Sequence, residues 1–153
     1  MAPLRSTYFI ALLVASAFVL TAHAQAEDGQ LVQILPDQIK WTSPPAAVAP
    51  GAQAAVLSGP LDKPGFYTQR VRLTQGGMIT PHTHPDTRYV TVLSGELYVG
   101  QGESVEAEKT TRYPVGSYFV VPAGVVHYAW ARNGEVVYQE SGIGPTATNF
   151  LKK

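Results

Sequence analysis

The chain contains no cysteine, which removes disulfides, zinc–thiolate sites, iron–sulfur clusters and thiol nucleophiles together. Charge is scarce as well. Only 14% of the 153 residues are Asp, Glu, Lys or Arg, and eleven bases balance eleven acids. A polyanion-binding surface needs a basic excess, so nucleic acid is not an expected partner. Nucleophile elbows of the Gly-x-Ser-x-Gly type are missing, and so are phosphate loops. Gly76-Gly77 and Gly100-Gln101-Gly102 lie in turn contexts without a following Lys-Ser/Thr. No segment keeps an apolar 3.6-residue period over three turns, so long amphipathic helices are not expected. What is present is punctuation: fourteen Gly and twelve Pro in a chain that is 45% hydrophobic. That balance argues for one small, turn-rich, all-β domain and against disorder.

The N-terminus reads differently from the rest. Arg5 precedes an apolar run from Tyr8 to Leu20, and Ala22-His23-Ala24 follows as a small-x-small site. This is the order of a secretory signal peptide, and the run is too short for the roughly 20 residues of a spanning helix. Cleavage is expected after Ala24, with Ala26 the second choice. Residues 1–24 then form the signal peptide, and the remainder is periplasmic or secreted and free of the membrane.

From Gln25 to Pro64 the density of Pro, Ala and Gly excludes long helices. We expect an extended lead-in with a short strand near Ala54 to Leu57 and Trp41 as an apolar anchor. It should pack on the barrel or on a second subunit, which makes a homodimer expected. From residue 65 to 153 the texture becomes short β-prone runs separated by turns. The runs are Phe66–Leu73, Tyr89–Leu93, Glu96–Val99, Ser117–Val121, His127–Ala131 and Val136–Gln139. Ser94-Gly95 and Asn133-Gly134 read as tight-hairpin signals. Tyr113, Tyr118, Tyr128, Trp130 and Tyr138 are expected to line the barrel and fill its core, and Gln139 to face inward toward a ligand. Glu103, Glu106 and Glu108 read as a solvated run with Lys109.

Histidine carries the functional signal. Beyond the leader the chain has three: His82, His84 and His127. His82 and His84 are two apart, so on an extended strand their rings leave the same face. His127 heads another β-prone run after a Pro-Ala-Gly turn. A barrel that brings those strands together would converge three neutral imidazoles, ligands suited to several transition metals. Ser117 and Ser141 are left with no spare histidine to act as base.

Two blocks resemble a known family. Gly76-x5-His82-Thr83-His84-x3-Arg88-x6-Gly95 is similar to the first cupin motif, and Gly116-x5-Pro122-Ala123-Gly124-x2-His127 to the second. The resemblance implies a single-domain cupin jelly roll with a metal in its mouth, held by His82, His84 and His127. The metal would be a divalent transition ion, one of Fe, Zn, Ni, Mn or Cu. Two positions depart from the pattern: the motif glutamate falls at Arg88 and the motif asparagine at Ala131.

Arginine can neither ligate nor deprotonate there, and three placements stay open. Arg88 could point inward and anchor a ligand's carboxylate, enolate or phosphate beside the metal. It could turn to the rim and pair with Asp86 or Glu96. Alternatively, Asp86 could supply the missing carboxylate from its Pro-containing bend. The functional expectation is an exported metal cupin acting on a small oxygenated anion. Its chemistry would be dioxygenase-like or isomerase/lyase-like, with the metal as Lewis acid. The alternative is a small-molecule or metal-binding module without turnover.

Overall fold

A computed structural model describes residues 31–151; the expected signal peptide lies outside the described residues. The strands are β1 (Ala52–Ser58), β2 (Gly65–Leu73), β3 (Met78–Thr83), β4 (Arg88–Ser94) and β5 (Glu96–Gln101), then β6 (Thr111–Pro114), β7 (Tyr118–Val121), β8 (His127–Trp130), β9 (Val136–Gly144) and β10 (Asn149–Phe150). Two single 3-10 turns, Pro36–Gln38 and Ala107–Lys109, are the helical elements among the described residues. No helix there is long and apolar enough to cross a membrane.

The strands form two five-stranded antiparallel sheets. One has the order β1-β2-β9-β4-β7 and the other β10-β3-β8-β5-β6. Most consecutive strands therefore lie in opposite sheets, which is the jelly-roll pattern. Ser94-Gly95 and Asn133-Gly134 are corrected by this topology. Both are corners at which the chain leaves one sheet for the other, not hairpins, because β4 and β5, like β8 and β9, never pair. Gly95 has φ of 71°, and an added Cβ would run into the Glu135 carbonyl, so the corner needs glycine for space as well as conformation.

Alternation places the core. Along β2, Tyr67, Gln69, Val71 and Leu73 are buried, and along β9 Val136, Tyr138, Glu140 and Gly142 are. The interior below the polar end is apolar, with Leu73, Val92, Leu97, Val136 and Tyr138 packed together. Burying each such side chain is worth about 1.5–3 kcal/mol. Tyr113 packs against Phe119 with ring centroids 4.3 Å apart, and Tyr128 is fully buried, but Tyr118 is 61% exposed and belongs to the outer face. Trp41 lies under the Arg72 guanidinium, 4.8 Å from its ring centroid, beside the bridge from Thr42 to Ala54 on β1. Lys109 pairs with Glu106 at 2.7 Å on the surface.

Candidate metal centre

The two histidine strands meet because β3 and β8 are antiparallel partners, with His82 directly opposite His127. The register slips between Ile79 and His82. An extra residue there re-aims the side chains beyond it, and Pro81 sits where a ladder N–H is dispensed with. His84 follows just past the end of β3. Its backbone carbonyl accepts a 2.8 Å hydrogen bond from the Gly124 N–H, so the Pro-Ala-Gly turn before β8 is fastened to the segment that carries His84. At the other end, Gly76 N–H donates to the Ala131 carbonyl at 2.7 Å, and Ala131 N–H donates to the Gly77 carbonyl at 2.9 Å. These bonds lock the first block of the sequence to the second. Ala131 is completely buried, so the motif asparagine is replaced by a residue that simply fills the core.

Ring centroids of the three histidines lie 4.2 to 5.1 Å apart, and one nitrogen from each falls within 4.8 Å of the others. All three side chains are buried. Their Nδ1 atoms are spoken for: His82 reaches the Thr80 carbonyl at 2.7 Å, His84 the Ala147 carbonyl at 2.8 Å and His127 the Val125 carbonyl at 3.0 Å. A carbonyl can only accept, so each Nδ1 carries the proton and each Nε2 keeps its lone pair free. Burial pushes the His82 pKa down to about 3, helped by the neighbouring His127. Burial, then the Arg88 guanidinium, takes His84 to about 4, and burial lowers His127 too. The rings are therefore neutral at physiological pH, the form in which imidazole binds a metal. Three oriented Nε2 lone pairs with backbone carbonyls behind them suit a divalent transition ion.

The opposite sheet holds charge. Arg88 is turned inward and 2% exposed, so it is not at the rim. Its Nη1 donates to Glu140, and its Nη2 donates to Thr146 Oγ1 at 2.8 Å and to the Ala147 carbonyl at 3.4 Å. Its Nε lies 3.7 Å from Asp86 Oδ2 and has no hydrogen-bond acceptor. Burial works against the Arg88 charge, but Glu140, Tyr67 and Asp86 outweigh it and hold its pKa above the ordinary value. The guanidinium is thus committed to the chain's own groups. Glu96 is not among them, since it pairs with Arg112. Asp86 is likewise engaged: Tyr67 Oη donates to it at 2.5 Å, as does Thr146, and it stands outside the histidine cluster. Burial, then that bond to Asp86, raises the Tyr67 pKa.

One expected feature needs correcting. Gln139 lies on the outer face of β9, where it accepts from Arg70 Nε at 3.1 Å; the inward residue is its neighbour Glu140, opposite Gln69 and Val90. Ending the strand at Gln139 hid Glu140, although the alternation Val136, Tyr138, Glu140 predicts its direction. Tyr67, Gln69 and Thr146 were also missed, because their partners are distant in sequence.

The fold and site define a small jelly-roll protein with convergent imidazoles in its interior. The chain belongs to the cupin family, whose sequence model, described as Cupin, matches residues 52–148. Among curated relatives, a germin-like protein subfamily 2 member 2 from Arabidopsis thaliana is 38% identical over 93 residues, covering 56% of this chain and 42% of that protein. Nectarin-1 from Nicotiana langsdorffii x Nicotiana sanderae is 37% identical over 73 residues, covering 47% of this chain and 31% of its own. The chain spans less than half the length of these relatives. Among solved structures, the polyketide cyclase RemF from Streptomyces resistomycificus is similar, with TM-score 0.66 and 16% identity over 81% of this chain and 89% of that one. An oxalate oxidase aligns with TM-score 0.59 and 22% identity over 84% and 68%. At these identities the structural likeness is one of fold.

Proposed function

We propose that this protein is an exported cupin that holds a divalent transition metal on His82, His84 and His127 and acts on a small oxygenated ligand in the barrel. The observation that carries the reading is the set of three buried rings, each tied through Nδ1 to a backbone carbonyl, with one nitrogen from each within 4.8 Å of the others. When bound there, the ion supplies Lewis acidity, and iron would add chemistry with dioxygen. The chain's own contribution is to hold neutral imidazoles, exclude water with an apolar wall and keep a buried carboxylate beside the site. Arg88 acts on a ligand through Glu140 and not by direct contact. The signal-like leader supports export. Exposed Leu31, Val32 and Leu35 in the lead-in support a homodimer in which that segment packs on a second copy.

A second reading, a binding module without turnover, is supported by the same commitment of Arg88 to internal partners, which leaves few polar side chains open to a substrate. The deciding experiment is elemental analysis of untagged protein beside a His82→Ala/His84→Ala variant. About one metal per chain in the wild type, lost in the variant, is the expected result. Negligible metal in both after reloading sinks the metal centre. Dioxygen consumption by the iron-loaded protein then separates enzyme from module.

A further inference from the structure

Glu140 is a buried carboxylate whose two oxygens have different fates. Oε1 accepts from Gln69 Nε2 at 2.5 Å and from Arg88 Nη1. Oε2 has no hydrogen-bond partner among the described residues, and it is not sealed in the interior. The residue lines the same cavity as the three histidines. Its charge is felt there: Glu140 opposes the fall in pKa of His84 and of His127. Yet it stands outside the cluster of nitrogens within 4.8 Å of one another, so it is a neighbour of the imidazoles and not a fourth member.

The cavity itself selects. Its volume is about 150 Å³, the size of cavity that takes up a benzene ring. Val71, Val90, Leu97, Val99, Phe119 and Phe150 form its apolar wall. Arg88 is its one lining cation among the described residues, and that guanidinium is already committed. With that guanidinium spent on its own partners, Glu140 Oε2 is left as an open acceptor beside the histidines. An O–H group would find an acceptor.

Resting on the metal reading above, we infer that this pocket takes a ring-sized molecule with an ionisable hydroxyl, a phenol or an enol, and that Glu140 Oε2 receives its proton. The ligand's O–H bond breaks, the electron pair stays on its oxygen, and the proton passes to the Glu140 carboxylate. No oxidant or reductant is consumed. Gln69 and Arg88 are positioning residues, because they hold Oε1 and so fix the direction of Oε2.

The test uses zinc-loaded full-length protein, with zinc content measured in every sample, and nitrocatechol, whose absorbance reports ionisation of its hydroxyl, against oxalate as an anionic probe. Wild-type protein should bind nitrocatechol with the bound probe in its ionised form, and oxalate, which carries no O–H at neutral pH, serves as the control. Glu140→Gln turns the open acceptor into a donor. It should weaken nitrocatechol by about tenfold or more, the worth of one hydrogen bond to a charged group, and leave oxalate unchanged or tighter at equal zinc. Should that variant not fold, Glu140→Asp, which keeps the charge and shortens its reach, must weaken nitrocatechol in the same sense. Equal nitrocatechol affinity in wild type and variant overturns the inference while the zinc content keeps the metal reading standing. Wild-type protein that takes up no zinc overturns both.

Discussion

The two walls of the barrel handle ionisable groups in opposite ways. The β3 and β8 wall, with the segment just beyond β3, buries three imidazoles as neutral groups, each with one backbone carbonyl for company. The β2, β4 and β9 wall buries a guanidinium and a carboxylate that satisfy each other, with Asp86 and Tyr67 close behind. Desolvation disfavours the charged form of any isolated group. One wall meets that pressure by shedding charge, the other by pairing it. The neutral wall is left with open lone pairs and suits ligation. The paired wall is almost fully spent internally, and what it leaves without a partner is one carboxylate oxygen and the buried Arg88 Nε.

The difference predicts unequal fragility. Arg88→Met strands two buried carboxylates and should lower the unfolding free energy by about 3–5 kcal/mol in denaturant titration. Adding Glu140→Gln should restore part of the loss, and strictly additive losses would show that the pairing is not the cause. Acid should act mainly through the other wall. His82 and His84 refuse protons in the folded state until pH about 3 and about 4, whereas the unfolded chain accepts them near 6.5. The unfolded state binds more protons throughout that interval, so metal-free protein should lose stability as pH falls from about 6.5 toward 4, by the order of a few kcal/mol in all. Midpoints of urea unfolding measured across this range should fall steeply in the wild type and less steeply in His82→Ala/His84→Ala.

Gly142→Ala tests the rear of the paired wall. Its Cβ would stand 2.5 Å from Asp86 Oδ2 and 2.7 Å from Tyr67 Oη. Forcing that pair apart should cost about 1–3 kcal/mol by thermal or chemical unfolding. The smallest effect belongs to the outer face. Gln139→Ala removes a surface partner of Arg70 and should stay within about 0.5 kcal/mol of wild type. A large effect there would mean that the inward and outward faces of β9 are exchanged.

The neutral wall was legible from the residues alone, because His82 and His84 are adjacent on one face of an extended chain and His127 follows a turn that announces itself. The paired wall was not. Arg88 was visible, but its partners come from other strands, and β9 runs on through Ser141-Gly142-Ile143-Gly144, residues with little strand signature. Counting alternation past Gln139 would have aimed Glu140 inward, since a one-residue slip moves the whole strand to the other face. The corners show a further limit. Ser94-Gly95 announces that the chain turns, but turn chemistry is local, and which sheet receives the next strand is decided by contacts far away.

The Ala147 carbonyl has a consequence for where this domain ends. It accepts from His84 Nδ1 and lies 3.4 Å from Arg88 Nη2, so one peptide group beyond the last long strand serves both walls. Thr146, beside it, holds Asp86 and Arg88, and Phe150 packs its ring 5.8 Å from that of His82. A barrel trimmed after Gly144 would keep His82, His84, His127 and every long strand, yet His84 would lose the carbonyl that holds its ring and His82 the ring packed beside it. Grafts, fusions and chimaeras of this scaffold should therefore treat residues 145–150 as part of the site and never as a tail to which a linker can be joined.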